Sequence, residues 1–279
     1  MQTKEFQVNK TCHGQTLQDF IVAKCKISRK AAKNLMDRRN VFVNGKRVWM
    51  ARHNLKNGDI VSLLLATDQT CRVTAPKIPI LWEDENYLII NKPANLLSVG
   101  KVSLERRLQE QRENSELRAV HRLDRDTTGC LIIAKSESAF QNILPLFRDR
   151  SISKTYHAIV HGFMKKGEHR ISKPLAGQTA VSHVRVLDAV DTAAHVAVKI
   201  ETGRTHQIRI HLSSFKHPVM GDPKYAGDIE KKAGVLPIPR QMLHARTLVF
   251  THPVTGKLIR GEAPLPADFR ACLKSFKLT

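Results

Sequence analysis

Cysteine is scarce and badly spaced for pairing. The five residues Cys12, Cys25, Cys71, Cys130 and Cys272 are an odd number scattered over 279 positions, with no Cys-x-x-Cys. That excludes a disulfide frame or a zinc ribbon and fits reduced thiols. Long apolar runs are missing too: none approaches the roughly 20 residues a spanning helix needs. The opening MQTKEFQVNK has no apolar signal core, so the expectation is a cytoplasmic protein with no membrane partner. No GxxxxGK[ST] or GxGxxG phosphate cradle and no G-x-S-x-G nucleophile turn occurs, nor any internal repeat or low-complexity tract. Acids are the last shortage. Asp and Glu total 25 against 46 Lys and Arg, giving +21 and a pI near 10.1. So large an excess points to a polyanionic partner, nucleic acid before an anionic membrane surface.

The charge is unevenly placed. Residues 1–79 hold 15 Lys/Arg against 5 Asp/Glu, and the remaining 200 hold 31 against 20. The first stretch is thus more than twice as positive per residue, which marks a separate polyanion-facing unit. Pro76 and Pro79 bracket an extended linker after it. Within the unit, Thr16 can cap a short helix presenting Leu17, Phe20 and Ile21 on one face. Ser28 can cap a second helix whose apolar side is Ala31, Ala32, Leu35 and Met36. Lys30, Lys33 and Arg38 lie off that side, free for solvent or phosphate. VFVNGKRV places Asn44-Gly45 between alternating apolar residues, a hairpin signal, with Lys46 and Arg47 just past the turn. NGDIVSLLL adds a turn and a strand.

The second region mixes α and β patterns. ILWEDENYLIINKP reads as two strands around an acidic turn. Cys130–Ala134 is a buried-looking strand, and Ser136 caps a helix through Phe147 in which Pro145 forces a kink or an end. KTYHAIVHG alternates as a strand, with Tyr156, Ala158 and Val160 facing one way and His157, Ile159 and His161 the other. AAHVAVKIETG is another strand, and Thr205 can cap a helix carrying Ile208, Leu212 and Phe215.

Thirteen histidines invite a metal reading, but their spacing argues against it. His157 and His161 lie on one strand face about 13 Å apart, and His206 and His211 diverge on a helix. No metal site is expected. What remains is HRLDRDTTG, residues 121–129, where Asp124 and Asp126 stand among arginines. It could be a salt-bridged loop or a reaction centre. Asp124 lies in a loop between an apolar run and a buried strand, where a fold presents reactive groups from a rigid support. A desolvated aspartate stays charged only if a cation is held against it.

NKPANLLSVG, HRLDRDTTGCLIIAKS, SKTYHAIVHG, GRTHQIRIHLSSFKHPVMGDPKY and RQMLHARTLVFTHPVTG occur in this order over about residues 80–268. Together they resemble the successive motifs of the RluA-type pseudouridine synthases. The N-terminal helix–helix–hairpin order resembles the small RNA-binding module of the ribosomal S-four (alpha-L) type. The resemblance implies an α+β protein. Its catalytic part would be a pseudouridine synthase fold with a mixed, largely antiparallel sheet flanked by helices. A small N-terminal α/β RNA-binding domain would precede it. The expected division is a tail at 1–13, the RNA-binding domain at 14–70, a linker at 71–79 and the catalytic domain at 80–279.

The resemblance also assigns roles. Asp124 matches the catalytic aspartate, acting either as nucleophile on the sugar or as base at C2′. Tyr156 matches the tyrosine that packs on the target base, and Arg209 the arginine paired with the aspartate. Arg122 matches a residue holding the nucleotide out of its stack, with His121, Arg204 and Lys154 as further substrate contacts. Arg29, Lys30, Lys33, Arg38, Lys46 and Arg47 are the expected RNA-binding residues. Asn95 stands where the family usually has Gly, in a position tolerating positive φ, and Thr128 replaces Ser. The implied reaction turns uridine in ribosomal or transfer RNA into pseudouridine without a cofactor, metal or obligatory protein partner. Composition alone fits two rivals equally: a non-catalytic RNA-binding or assembly factor, and a nuclease using His and Asp.

Overall fold

Alternation of apolar and polar residues builds both sheets of this protein. A computed structural model describes residues 2–37, 40–65, 77–227 and 238–279, in two compact units, Met1–Ala75 and Pro76–Thr279.

In the first unit, strand β1 (Gln2–Gln7) precedes helices α1 (Leu17–Cys25) and α2 (Arg29–Asp37). Strands β2 (Val41–Val43), β3 (Lys46–Arg47) and β4 (Ile60–Leu65) follow. The sheet is antiparallel in the order β1-β4-β2-β3. Thr16 caps α1, its Oγ1 accepting the Asp19 N–H at 3.2 Å, and Leu17, Phe20 and Ile21 are buried. Ser28 Oγ accepts the Ala31 N–H at 3.2 Å, and Ala32 and Met36 are buried beside them. Asn44 and Gly45 turn the hairpin with φ of 50° and 72°, the left-handed pair that a two-residue turn requires. Of residues 1–13, expected to be a tail, the described residues 2–13 are instead structural. β1 pairs with β4 from Gln2↔Leu65 to Gln7↔Ile60, and Val8 is buried. The pairing satisfies a strand edge that would otherwise be open. The polar run QTKEFQ hid the strand because Phe6 is its one apolar residue, too little for an alternation to show.

The second unit is built on one ten-stranded sheet. Its strands are β5 (Ile80–Glu83), β6 (Tyr87–Lys92), β7 (Arg118–Ala119), β8 (Thr128–Ala134) and β9 (Ser153–His161). After these come β10 (Glu168–Ser172), β11 (Val181–Val190), β12 (Ala193–Ile200), β13 (Leu243–Thr251) and β14 (Leu258–Glu262). The order is β10-β11-β12-β9-β13-β8-β6-β5, with β14 on β13 and β7 on β8. Every pairing is antiparallel except β13 with β8, so the sheet is mixed and largely antiparallel, as expected.

Helices α3 (Leu104–Arg112), α4 (Glu137–Arg148), α5 (Gln207–Ser214) and α6 (Ala267–Ser275) flank the sheet. On one face Tyr156, Ala158 and Val160 of β9 join Leu104 and Leu108 of α3 and Ile208 and Leu212 of α5. On the other, Ile143 of α4 packs on Ile132 and Phe250, and Phe269 of α6 packs on Ile159. The parallel contact of β8 with β13 depends on Gly129. Its φ is +110°, and a Cβ there would collide with the Ala245 carbonyl.

One local expectation fails. α5 is capped by His206, not Thr205: His206 has φ 56° and makes no side-chain cap bond. Gln207, the first residue of α5, instead ties down the turn before the helix, its Oε1 accepting from Thr202 Oγ1 at 2.6 Å and the Arg204 N–H at 3.1 Å. Ser136 caps α4 as expected, and the helix runs past Phe147 to Arg148 with Pro145 inside it. No described helix is long and apolar enough to cross a membrane.

Candidate active site

Asp124 sits in the loop between β7 and β8, and the backbone of that loop is held from several sides. Lys92, at the end of β6 and fully buried, donates to the carbonyls of Pro93, Arg125 and Thr127 at 2.8, 2.9 and 3.0 Å. Burial drags its ammonium down to about 7. Three carbonyl acceptors need all three N–H bonds of the charged form, so the charged form is the one that grips the loop. Ser98 Oγ donates to the Leu123 carbonyl and accepts its N–H, both at 2.9 Å. Arg240 Nη1 donates to the Asp126 carbonyl at 3.1 Å, and Gln241 Nε2 to Thr127 Oγ1 at 2.8 Å. Asn95, φ 61°, turns the NKPAN segment so that Leu96 N–H reaches the Arg125 carbonyl at 3.2 Å. The Asp124 side chain keeps 20% of its surface exposed.

The arginine expected beside it is there. Arg209, on the first turn of α5 and 6% exposed, gives Nη1 to Asp124 Oδ2 at 3.0 Å. Its remaining edge is taken by Asp222, with Nε to Oδ2 at 2.6 Å and Nη2 to Oδ1 at 2.9 Å. Burial opposes ionisation of Asp222, but Arg209 and the Lys224 and Tyr225 amides outweigh it and hold the carboxyl below its usual range. Burial also works against the guanidinium, and the two carboxylates overcome it. The buried bidentate pair fixes the plane of the fork, so Nη1 can point only at Asp124.

Sequence reasoning missed three neighbours. His206 Nε2 lies 3.8 Å from Asp124 Oδ1, and its Nδ1 meets the Tyr225 hydroxyl at 2.9 Å. Tyr225 stacks on Arg209, 5.0 Å from guanidinium carbon to ring centre. His206 had been weighed only as a metal ligand. Asp222 and Tyr225 belong to GDPKY, whose Gly-Asp-Pro turn was the available signal.

Tyr156, on β9, is 8% exposed. Burial, reinforced by the charge of Asp124, raises its hydroxyl far above the ordinary tyrosine range. The phenol therefore stays protonated, a donor rather than a base. With Asp124, Arg204 and His206 it lines a recess of about 70 Å³. The recess shares Arg122, Tyr156 and Arg204 with a basin of about 440 Å³. On its other side a hollow of about 380 Å³ is lined by Leu97, Val99 and Pro223 as well as Asp124. Exposed Arg122 borders all three.

Lys154 lines the basin, its Nζ 5.4 Å above the Phe147 ring, and burial lowers its pKa. His121 also lines it, but its Nε2 accepts the Ile132 N–H at 3.2 Å. Burial pushes its imidazole down to about 3, so it fastens the loop to β8 as a neutral ring. Thr128 keeps the hydroxyl of the Ser it replaces in use, 2.8 Å from His244 Nδ1. Among the described residues no group of three or more His, Cys, Asp or Glu side chains is placed to hold a metal.

Arg29 pairs with Asp19 at 2.8 Å, and the Arg47 guanidinium lies 5.1 Å over the Phe42 ring. Lys33 and Lys46 are exposed. Lys30 falls on α2 with its side chain outside the described set, and Arg38 lies outside the described residues.

Comparisons with known proteins identify the family of this chain. The family model for RNA pseudouridylate synthase matches residues 86–214. The chain is 32% identical to ribosomal large subunit pseudouridine synthase D of Pasteurella multocida, over 90% of this chain and 87% of that one. It is 31% identical to the uncharacterized RNA pseudouridine synthase YhcT of Bacillus subtilis, over 98% and 97%. Among solved structures, human RNA pseudouridylate synthase domain containing 4 superposes with a TM-score of 0.59 at 26% identity, covering 72% of this chain and 94% of that one. This chain belongs to the RNA pseudouridylate synthase family, in its RluA-type branch.

Proposed function

We propose that this protein converts uridine to pseudouridine in large-subunit ribosomal RNA, with Asp124 as the acting carboxylate. The single observation that carries the reading is the 3.0 Å bond from Arg209 to Asp124, with Asp222 locking the guanidinium behind it. Relatives named for the large ribosomal subunit favour ribosomal over transfer RNA.

The reaction breaks the N1–C1′ bond, turns the uracil and joins C5 to C1′. Atoms and electrons balance within the nucleotide, so protein side chains suffice. Extruding the base costs a few kcal/mol, and Arg122, which borders every recess around Asp124, is placed to hold the phosphate backbone meanwhile. The uracil lies against the Tyr156 ring, as extruded RNA bases commonly lie on aromatics. Asp124 attacks C1′, or takes the C2′ proton en route to a glycal. Arg209 keeps the carboxylate oriented in either case, a preorganised electrostatic arrangement. The protonated Tyr156 hydroxyl can donate a hydrogen bond to the detached uracil, which loses its C5 proton to water as C5 joins C1′ and regains one at N1. The basic composition and the free thiols Cys12, Cys25, Cys130 and Cys272 suit the cytoplasm.

The first unit, from β1 to about residue 70, serves as an RNA-binding module of the ribosomal S-four type, using Lys33 and Lys46 among others. The linker that follows ends before Ile78, which is buried in the core of the second unit.

Asp124→Asn keeps the shape of the site and removes the reactive charge. It is expected to form no pseudouridine while binding RNA nearly as well as the parent. Measurable tritium release from 5-tritiated uridine by that variant would refute the assignment.

A further inference from the structure

The outer face of β10, β11 and β12 carries a second basic feature, away from Asp124. The inward residues Ile171, Val184, Val186, Val198 and Ile200 are buried in the core. The outward residues Arg170, His183, Arg185 and Lys199 are exposed. Further along this face α6 covers Ile159 and Ala193. Toward Lys199 the face is open and forms a groove of about 580 Å³.

Register places the outward side chains in rows. Arg170 stands opposite His183, His183 opposite Lys199, and Lys199 opposite Thr155. That row crosses four strands, about 14 Å. Arg185 is in the next row, opposite Glu168. Arg170 and Lys199 therefore flank His183 on either side, two cations in one row that an anion lying along it can meet together. Two acids temper the patch. Glu168 faces Arg185, and Glu201 accepts from His183 Nε2 at 2.7 Å and lies 3.9 Å from Arg150. Arg170, Arg185, Lys199 and Arg150 still outnumber them.

The groove is also continuous with the active-site basin. Lys199 and Glu201 line the groove and a hollow at the start of β9, which contains Arg150. Arg150 and Glu201 in turn line the basin that holds Arg122, Lys154 and Arg204. One cation-rimmed path therefore leads from Asp124 around the ends of β9 and β12 onto the outer face.

We propose that this path is an RNA track. The strand flanking the target uridine leaves the basin past Arg150 and lays its phosphates on Lys199, Arg170 and Arg185. This rests on the RNA-modifying reading above, and it adds a substrate surface remote from the chemistry.

The test compares the full-length protein with its Arg170→Gln/Arg185→Gln/Lys199→Gln variant. The probes are labelled oligouridylates of 5 and 20 nucleotides, titrated across a salt series. Each phosphate contact on a single strand contributes about 0.7 to the slope of log affinity against log salt. The variant is expected to lose about 2 from the slope for the 20-mer and nothing for the 5-mer. An unchanged 20-mer slope, or an equal loss with both probes, overturns the track. If the triple variant melts earlier than the parent, Arg185→Gln alone is measured, with an expected loss of about 0.7 and the same contrary outcome. Pseudouridine formation by the parent on ribosomal RNA is followed in the same preparation. Product with an unmoved slope sinks the track alone, whereas binding without product from the parent sinks the underlying reading.

Discussion

The two units of this chain use positive charge in opposite ways. In the first, Lys33 and Lys46 stand exposed on a helix and a hairpin, and Arg29 is paired to an exposed neighbour. Such charges act together, through the field they make, and are weakened by salt. In the second, Lys92 and Arg209 are buried, and each has its N–H groups assigned to particular oxygens. A charge in that setting acts singly and by geometry, because removing one partner leaves the other desolvated and unmatched. The same residue types thus act through a shared field where they are exposed, as Arg170 and Lys199 of the second unit also are, and by position where they are buried.

The contrast can be broken most forcefully at Asp222. Asp222→Ala leaves the buried Arg209 with one carboxylate, and a stability loss of about 3–5 kcal/mol is expected, together with collapse of activity as the guanidinium swings off Asp124. Urea denaturation and product formation check this; a variant as stable as the parent would show that the pair positions nothing. Tyr156→Phe keeps the ring and removes the proton. A rate loss of about 10²–10⁴ is expected with KM little changed, measured by single-turnover and steady-state kinetics. An unaltered rate would leave Tyr156 as a platform only.

Acid sharpens the comparison between the units. Burial holds His121 down at about 3, and His157 and His244 at about 4. In the unfolded chain these rings take up protons as pH falls through about 6.5, while the folded protein refuses them. Stability is therefore intact above that value and lost as pH falls from about 6.5 toward 4, by about 1.4 kcal/mol per pH unit for each ring. Hydrogen exchange between pH 7 and 5 is expected to show the second unit opening first; uniform loss across both would contradict it. The smallest effect belongs to the exposed charges. Lys33→Gln/Lys46→Gln is expected to leave the melting temperature unchanged and lower the RNA salt slope by about 1.4–1.8, read by binding titrations.

Much of this was legible in the residues. Thr16 capped its helix, Asn44-Gly45 made its turn and β9 alternated, because each depends on a few adjacent positions. The pairing of Asp124 with Arg209, 85 residues apart, was reached through the family motifs and not through local pattern. β1 escaped notice because its polar sequence pairs by backbone with a strand more than fifty residues away. His206 escaped because its φ of 56° turns it out of the helical pattern and toward the acid.

What the sequence determined alone was the sign and unevenness of the charge, the alternation that makes each strand two-faced, and the short turns. These follow from residue type and near neighbours. Which charges are buried, which carboxylate faces which guanidinium, and how the basic rows line up across β10 to β12 were decided only when the sheet closed. Those outcomes depend on desolvation and register between distant strands, and neither exists before the chain has folded.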